Sequence, residues 1–254
     1  MRQAIVGDIV TWLNNIAPFD TAEEFDNVGL LVGSANQQVS SILVALDLTT
    51  NVINEAKELG VQLIIAHHPV MFHPIQSILE DTYEGKLLSM LIRENMSFIA
   101  VHTNIDKTMY SGSACLAKNL SLKDIEQEED YLFLGSLQKE MSAAELEAFL
   151  QEKLDTKVLR YGYPQTVIKR LAIAGGAYDE GYIAASKAGA QALLTGEVRH
   201  HNAIAAIESG MVLFEGGHLQ TEQPMVPHLA ECLQKAVNDL QCNVRVYASE
   251  AHVY

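Results

Sequence analysis

Cysteine is scarce in this chain of 254 residues, and the cysteines present are not arranged for metal or redox chemistry. The three of them, Cys115, Cys232 and Cys242, lie far apart and form no CxxC spacing. Because an odd number of separated cysteines does not make a disulfide framework, we expect reduced thiols in the core. A thiolate metal site is not predicted.

Basic residues are also few, since 17 Lys and Arg stand against 32 Asp and Glu, for a net charge of −15. The acidic residues spread over the chain, with one cluster at Asp124–Asp130. Nothing resembles the basic stripe that binds a phosphate backbone, so nucleic acid is not an expected partner. A nucleotide or phosphate ligand would need local cations, such as metal ions, to be held on this surface.

Long hydrophobic runs are missing as well. No segment approaches the ~20 consecutive apolar residues of a membrane helix, and the N-terminal residues lack the pattern of a secretory signal. We therefore expect a cytoplasmic protein without membrane contact. The 48% hydrophobic content suffices for a large core, in one domain or two modest ones.

Apolar runs alternate along the chain with segments of helical periodicity, and this order predicts an α/β protein. The runs Ser41–Leu46, Val61–Ala66 and Ser97–Val101 are typical of buried strands in a parallel sheet. Helices are predicted between them at Asn51–Leu59 and Gly85–Arg93.

The same order returns in the second half, with strands predicted at Arg170–Ala174, Ala190–Leu194 and Met211–Phe214. In both halves a helix end is followed by a glycine, a small or branched residue, a glutamine and an apolar run, as in Gly60-Val61-Gln62 and Gly189-Ala190-Gln191. The repeat predicts two packed α/β lobes related by internal duplication, with mostly parallel sheets.

We place the first lobe at residues 1–124 and 215–254 and the second at 125–214, with approximate borders. The stretch 125–165 is more amphipathic and forms either a connector or the opening of the second lobe. It contains a helix predicted at Ser142–Lys153, whose start resembles a capping box of Ser142 and Glu145.

Histidines follow three of the predicted strands, where a parallel sheet gathers its functional groups. The pair His67-His68 follows one strand, and His102 and His218 each follow another and precede a carboxylate by four residues. The predicted metal ligands are His67, His68, Asp106, His218 and Glu222.

Three imidazoles and two carboxylates exceed what one open zinc site uses. We expect two divalent transition-metal ions per chain, zinc, iron or manganese, bridged by Asp106 or Glu222. His102 is either a further ligand or a general acid–base beside the metals. Glu197, in Thr195-Gly196-Glu197, either lines the same cavity or belongs to a polar loop.

Two further loops have alternative interpretations. The segment Asp26-Asn27-Val28-Gly29 is either a turn or a substrate contact. The segment Ala174-Gly175-Gly176-Ala177 is assigned to a turn, because it lacks the full dinucleotide-binding fingerprint.

Five motifs together resemble the NIF-three-like family in its short bacterial form, over nearly the whole chain. In order they are Phe25-Asp26-Asn27-Val28-Gly29-Leu30, Ala66-His67-His68-Pro69, Val101-His102-Thr103-Asn104-Ile105-Asp106, Thr195-Gly196-Glu197, and Gly217-His218 with Glu222. The resemblance implies a two-lobed α/β fold, a dinuclear metal centre held by the five predicted ligands with His102 beside them, and a toroidal homohexamer. Many members are called GTP cyclohydrolase type-two homologues, which implies hydrolytic opening of a purine ring.

The sequence thus predicts a metal-dependent hydrolase acting on a small nucleotide-like or heterocyclic molecule, with His102 or Glu197 transferring protons. The alternative is a non-catalytic metal-binding scaffold or regulatory interaction protein.

Overall fold

The computed structural model describes residues 3–251, which form two compact units. The first unit combines the described residues up to Ile105 with those from Val226 onward, and the second spans Asp106–Met225. These borders differ from the predicted 124/125 and 214/215, because the helix Gly112–Asn119 packs on the sheet of the second unit. Residues 1, 2 and 252–254, assigned above to the first lobe, lie outside the described residues.

The helices and strands alternate along most of the described chain. In chain order they are β1 (Ala4–Ile5), α1 (Val6–Ile16), β2 (Gly29–Val32), β3 (Gln38–Val39), β4 (Ser41–Ala45), α2 (Thr50–Glu58), β5 (Leu63–Ala66), α3 (Tyr83–Arg93), β6 (Ser97–Ala100), α4 (Thr103–Asp106), α5 (Gly112–Asn119), β7 (Lys123–Glu129), β8 (Leu132–Ser142), α6 (Ala143–Leu154), β9 (Leu159–Tyr161), β10 (Val167–Ala174), α7 (Tyr182–Lys187), β11 (Ala192–Thr195), α8 (His200–Glu208), β12 (Val212–Glu215), α9 (His218–Glu222), α10 (Met225–Asp239) and β13 (Arg245–Ala248).

The first unit is built on a five-stranded sheet in the order β13-β4-β5-β6-β2. Strands β13, β4, β5 and β6 are parallel, and β2 pairs antiparallel with β6. The register pairs Ala45 with Ala66 and Ala66 with Ala100, so β4, β5 and β6 end at the same level. Whatever follows these three strands therefore emerges at one edge of the sheet.

The second unit contains a six-stranded sheet in the order β7-β8-β10-β11-β12-β9. Its three central strands are parallel and end level, because Ala174 pairs with Thr195 and Thr195 with Glu215. The loops after β10, β11 and β12 thus share one edge of this sheet, as the loops of the first unit share theirs.

Both sheets are mixed, which corrects the prediction of mostly parallel sheets. In the second sheet three of the five pairings, β7 with β8, β8 with β10 and β12 with β9, are antiparallel. Strands β7 and β8 form a hairpin across the two residues Asp130-Tyr131. The sequence did not reveal this hairpin because β7 is an exposed, mostly acidic edge strand without an alternating apolar face.

Side-chain alternation along β10 builds the core of the second unit. Leu171 and Ile173 pack in the cluster that includes residues of α5 and α6, whereas Ala172 and Ala174 pack with residues of α7 and α8. Successive strand residues point to opposite faces, so a run that is apolar throughout fills both layers. The α/β prediction is confirmed, and the strands predicted around the histidines match β4, β5 and β6 to within two residues.

The repeated glycine–glutamine motif makes the same hydrogen bonds in each unit. Oε1 of Gln62 accepts from the N–H groups of Ser40 and Ser41, just before and at the start of β4. Oε1 of Gln191 accepts from the N–H groups of Lys169 and Arg170 in β10. In each unit the glutamine amide also donates to the carbonyl of the glycine two residues earlier.

The remaining local predictions concern the connector and the membrane. Ser142 and Glu145 form the predicted capping box at the start of α6, with the Ser142 N–H 2.8 Å from Oε2 of Glu145. Among the described residues, no helix combines the length and apolar character needed to cross a bilayer.

Candidate metal centre

Three imidazoles converge at the edge of the first unit where β5 and β6 end. Their donor atoms lie within 4.8 Å of one another, and the ring centroids of His67, His68 and His102 are 4.8 to 5.4 Å apart. Neighbouring residues of a strand point to opposite faces, but here β5 has ended. The N–H groups of His67 and His68 both donate to the carbonyl of Leu46, so the chain has left the extended geometry and both rings reach one side.

Each of these imidazoles is held by an oxygen atom through its Nδ1. The distances are 2.8 Å from His67 to the carbonyl of Val101, 2.8 Å from His68 to Oδ1 of Asp47, and 3.0 Å from His102 to Oδ1 of Asp26. A carbonyl or ionised carboxylate can only accept, so Nδ1 carries a proton, and in the neutral ring Nε2 then keeps its lone pair. This is the tautomer that a metal ion requires of a histidine bound through Nε2.

Asp26 accepts the hydrogen bond that orients the His102 ring. This role differs from both interpretations of the Asp26-Asn27 segment given above, a turn or a substrate contact. The Asp26 side chain is fully buried and also accepts hydrogen bonds from the N–H and Oγ1 of Thr103. Burial favours the neutral carboxyl, but the hydrogen bonds from His102 and Thr103 outweigh it and hold the pKa of Asp26 well below its usual range. Asp26 therefore keeps a negative charge beside the imidazole at neutral pH.

The second unit contains a smaller donor set around α9. His218 is the first residue of this helix and Glu222 lies four residues on, so one helical turn brings Nε2 of His218 to 3.1 Å from Oε2 of Glu222. Nδ1 of His218 lies 2.7 Å from Oε1 of Glu197, which follows β11. With the Nδ1 proton directed at Glu197, the Nε2 lone pair faces a carboxylate, an arrangement that a cation between the two atoms stabilises.

Glycines make room for the Glu222 side chain, which is buried. A Cβ at Gly112 would lie 2.8 Å from the Cα of Glu222, and a Cβ at Gly176 would overlap its carboxylate. A Cβ at Gly196 would lie 2.8 Å from the Cα of His218. The Gly175-Gly176 segment, assigned above only to a turn, therefore also shapes this site.

An ion pair ties together the loops that follow β10 and β11. Asp179 is buried and accepts from the backbone N–H of Arg199 at 2.7 Å and from its guanidinium at 2.7 and 3.0 Å. Because Arg199 lies two residues after Glu197, this pair helps to fix the loop that presents Glu197 to His218. The sequence did not indicate the role of Asp179, nor that Asp47 and Asp26 accept hydrogen bonds from histidines. No local pattern links these aspartates to partners so distant in the chain.

Asp106, a predicted ligand, ends α4 at the border of the second unit and is half-buried. Within the described part of the first unit, the ligand atoms that group together are those of His67, His68 and His102. In the second unit, His218 thus pairs directly with Glu222, the carboxylate four residues on. In the first unit, His102 pairs instead with Asp26.

The model of the family Duf34/NIF3 (NGG1p interacting factor 3) matches residues 4–253. The chain belongs to this family. The resemblance seen in the five sequence motifs is thereby confirmed.

Relatives in the Duf34/NIF3 family are similar over almost the full length. A protein of Clostridium perfringens named GTP cyclohydrolase 1 type 2 homolog is 32% identical over 242 residues, covering 92% of each chain. A Helicobacter pylori protein named GTP cyclohydrolase 1 type 2 is 33% identical over 233 residues, covering 91% of this chain and 92% of its own.

Solved structures agree with the fold. A hypothetical protein of Staphylococcus aureus has a TM-score of 0.93 at 29% identity, over 98% of this chain and 97% of its own. A Bacillus cereus protein related to NIF3 has a TM-score of 0.94 over 100% and 99% of the two chains, and at 21% identity it shows the fold alone.

Replacing Gly176 by alanine tests the space around Glu222. Gly176 and Gly60 share a φ of +65°, but a Cβ at Gly60 meets nothing within 4 Å. Both alanine variants should lose about 1–2 kcal/mol of unfolding free energy through left-handed backbone strain. Because only Gly176→Ala displaces the Glu222 carboxylate, it should bind zinc at least tenfold more weakly in a chelator competition titration. Equal zinc affinity of the two variants would contradict the role given to Gly176.

The ion pair of Asp179 predicts a pH-dependent stability. Burial raises the pKa of Asp179, but the hydrogen bonds from Arg199 outweigh this and place the pKa below its ordinary value of 3.8. A carboxyl with a lowered folded pKa stabilises above its unfolded pKa and loses this effect as pH falls through the folded value. We expect Asp179→Asn to lose about 2 kcal/mol at pH 7 in urea unfolding, and the difference from the unmodified chain to shrink below about pH 4.

Glu180→Gln is the matched control, since Glu180 contacts the same guanidinium at 2.6 Å but its side chain is 55% exposed. It should cost less than about 1 kcal/mol at any pH. A cost equal to that of Asp179→Asn, or no shrinkage in acid, would refute the buried pair as the source.

Proposed function

We propose that this protein is a dinuclear metal-dependent hydrolase acting on a small nucleotide-like or heterocyclic substrate. The observation that carries the proposal is the anchoring of four imidazoles through Nδ1, so that Nε2 of each is available to a metal ion. A carboxylate anchors three of them, two in the first unit and one in the second, and a backbone carbonyl anchors the fourth. The residues proposed to hold the two ions are His67, His68, Asp106, His218 and Glu222.

Among the described residues, the two units contribute different kinds of metal donor. The first unit groups three imidazoles, whereas the donors around α9 pair an imidazole with a carboxylate. A two-metal hydrolytic site needs both kinds of donor, because carboxylates bridge the ions and balance their charge. The described donors of the two units thus include both kinds of ligand that the proposed centre requires.

The matching donor positions favour internal duplication of the units. In each, three parallel strands end level, the glycine–glutamine motif makes the same hydrogen bonds, and a histidine begins the segment after the third strand. A common ancestral unit accounts for these shared details more simply than general α/β architecture does.

Two divalent ions bound here would supply Lewis-acid activation of a water molecule and of a substrate oxygen. The chain would contribute the proton transfers. His102 donates Nδ1–H to Asp26, so its Nε2 accepts a proton unless it ligates an ion, and the adjacent carboxylate stabilises the imidazolium that forms. Glu197 accepts from His218 at 2.7 Å, which orients that ring. We also assign to Glu197 the exchange of protons with solvent, because its side chain is 59% exposed.

The second candidate function is a metal-binding scaffold without turnover, which the same donor set would serve. Either proposal includes the cytoplasmic location expected from the sequence and the toroidal homohexamer implied by the family resemblance. The relatives named after GTP cyclohydrolase support the hydrolase, since that name denotes hydrolysis of a purine nucleotide.

Asp47→Asn tests whether the oxygen anchors serve metal binding. Asparagine keeps the size of the side chain but removes the charge that makes the His68 imidazole a stronger donor. Loss of such a supporting carboxylate lowers metal affinity by about 10–100-fold. Zinc titration of the chelated protein should show this loss for Asp47→Asn and none for Asp20→Asn, an exposed aspartate of the same unit. Equal affinities would argue against an anchoring role.

Glu222→Gln tests the reaction. An unbiased metabolite screen of metal-loaded protein, with chelated protein as control, should reveal a hydrolysed substrate. Glu222→Gln should abolish this turnover, while Glu208→Gln, at an exposed position of α8, should retain it. Only metal-independent background would favour the scaffold instead. Elemental analysis that finds far fewer than two ions per chain, even after reloading, would contradict the dinuclear centre.

A further inference from the structure

Thr221 lies between the two donors of α9, and none of its surface is exposed. Its hydroxyl is 2.9 Å from the carbonyl of Gly217 and 3.0 Å from that of His218, and it donates its single proton to this pair. Such bonding back to the preceding helical turn is common for threonine and has no functional meaning by itself. The third contact is different, because Oγ1 also accepts from the N–H of Gly176, 45 residues away, at 3.1 Å.

The peptide groups of Gly176 join the loops that follow β10, β11 and β12. The N–H of Gly176 donates to Thr221, and its carbonyl accepts from the N–H groups of Gly196 and Glu197 at 2.8 and 3.1 Å. The Glu197 carboxylate accepts in turn from Nδ1 of His218 at 2.7 Å. Because the carbonyl of His218 contacts the Thr221 hydroxyl, these hydrogen bonds form a closed ring. Each bond in such a network restricts the geometry of the others.

The backbone of Gly176 also forms one side of the space between the two donors of α9. A Cβ at this position would overlap the Glu222 carboxylate and lie 3.4 Å from Nε2 of His218. The donor atoms of His218 and Glu222 are 3.1 Å apart, close to the roughly 3.3 Å that separates two ligands of one tetrahedral zinc ion. A displacement of the Gly176 peptide would therefore change the surroundings of both donors.

We propose that Thr221 is a positioning residue for His218 and Glu222. Its hydroxyl holds the Gly176 peptide against the two donors and so maintains the spacing that a shared metal ion requires. Thr221 is not itself a ligand, because three backbone groups already surround its buried hydroxyl. The inference rests on the proposed function and deepens it, since it concerns donors of the same centre.

Two substitutions of Thr221 separate its hydroxyl from its methyl group. Thr221→Val keeps the shape but leaves the buried N–H of Gly176 without its acceptor. Thr221→Ser keeps the hydroxyl and removes the methyl that packs beside Gly216. Both variants should unfold at a temperature lower by about 5 °C. Only Thr221→Val should bind zinc about tenfold more weakly in a chelator competition titration, the usual effect of losing a group that orients a ligand.

Thr195→Val is the matched control. Thr195 is equally buried, and its hydroxyl donates to the carbonyl of Gly176 at 3.2 Å. That carbonyl keeps two backbone donors when the hydroxyl is removed, so no buried group loses its only partner. Thr195→Val should therefore retain the zinc affinity of the unmodified chain.

A second readout needs no metal. Nitrogen NMR of isotope-labelled histidines in chelated protein reports which ring nitrogen of His218 carries the proton. We expect the Nδ1–H form in the unmodified chain, in Thr221→Ser and in Thr195→Val. Thr221→Val should show a mixture of both tautomers, because opening the ring of hydrogen bonds releases Glu197 from its place beside His218.

Two results would overturn the positioning role. One is a Thr221→Val variant whose zinc affinity stays within twofold of the unmodified chain or whose His218 tautomer is unchanged. The other is an equal loss of affinity in Thr221→Val and Thr221→Ser, because affinity would then follow packing rather than the hydroxyl.

Failure of this inference is distinct from failure of the proposed function. If the unmodified chain binds no zinc, the proposed function is wrong, and the His218 tautomer in chelated protein still decides the role of Thr221. The expected pattern in a protein without turnover would support the positioning role and contradict only the reaction.

Discussion

The hydrogen bond from each Nδ1 to an oxygen atom is the constraint on which the candidate metal centre depends. It fixes three things at once for each histidine: the ring orientation, the tautomer and the availability of Nε2. Without it an imidazole at a loop would rotate freely and present either nitrogen. Four histidines share this arrangement, which makes it the organising interaction of both units.

The sheets supply the anchors through their register. Since β4, β5 and β6 end level, Asp47 after β4 lies where it can accept from His68 after β5, and Val101 after β6 can accept from His67. The second unit repeats this principle, because the loop after β11 carries Glu197 to the His218 that follows β12. Glycines complete this arrangement by leaving space where the Glu222 side chain is buried.

Much of the fold could be predicted, because strong local signals coincide with it. The strands before the histidines and the capping box of α6 follow from apolar runs and from one spacing of Ser142 and Glu145. The β7–β8 hairpin could not, since β7 is held by backbone pairing and carries almost no apolar face. The borders between the units also escaped prediction, because they depend on where α5 packs rather than on any local composition.

The sequence by itself determined the family, the alternation of strands and helices, and the residue types that can hold a metal. Those properties are local, since they reside in short motifs and in the periodicity of apolar residues. Only the tertiary structure decided which nitrogen of each imidazole is protonated. That choice depends on oxygens such as those of Asp26 and Asp47, which lie 76 and 21 residues away from their histidines. Such partners meet only when strands pair in a particular order and register, which no single motif encodes.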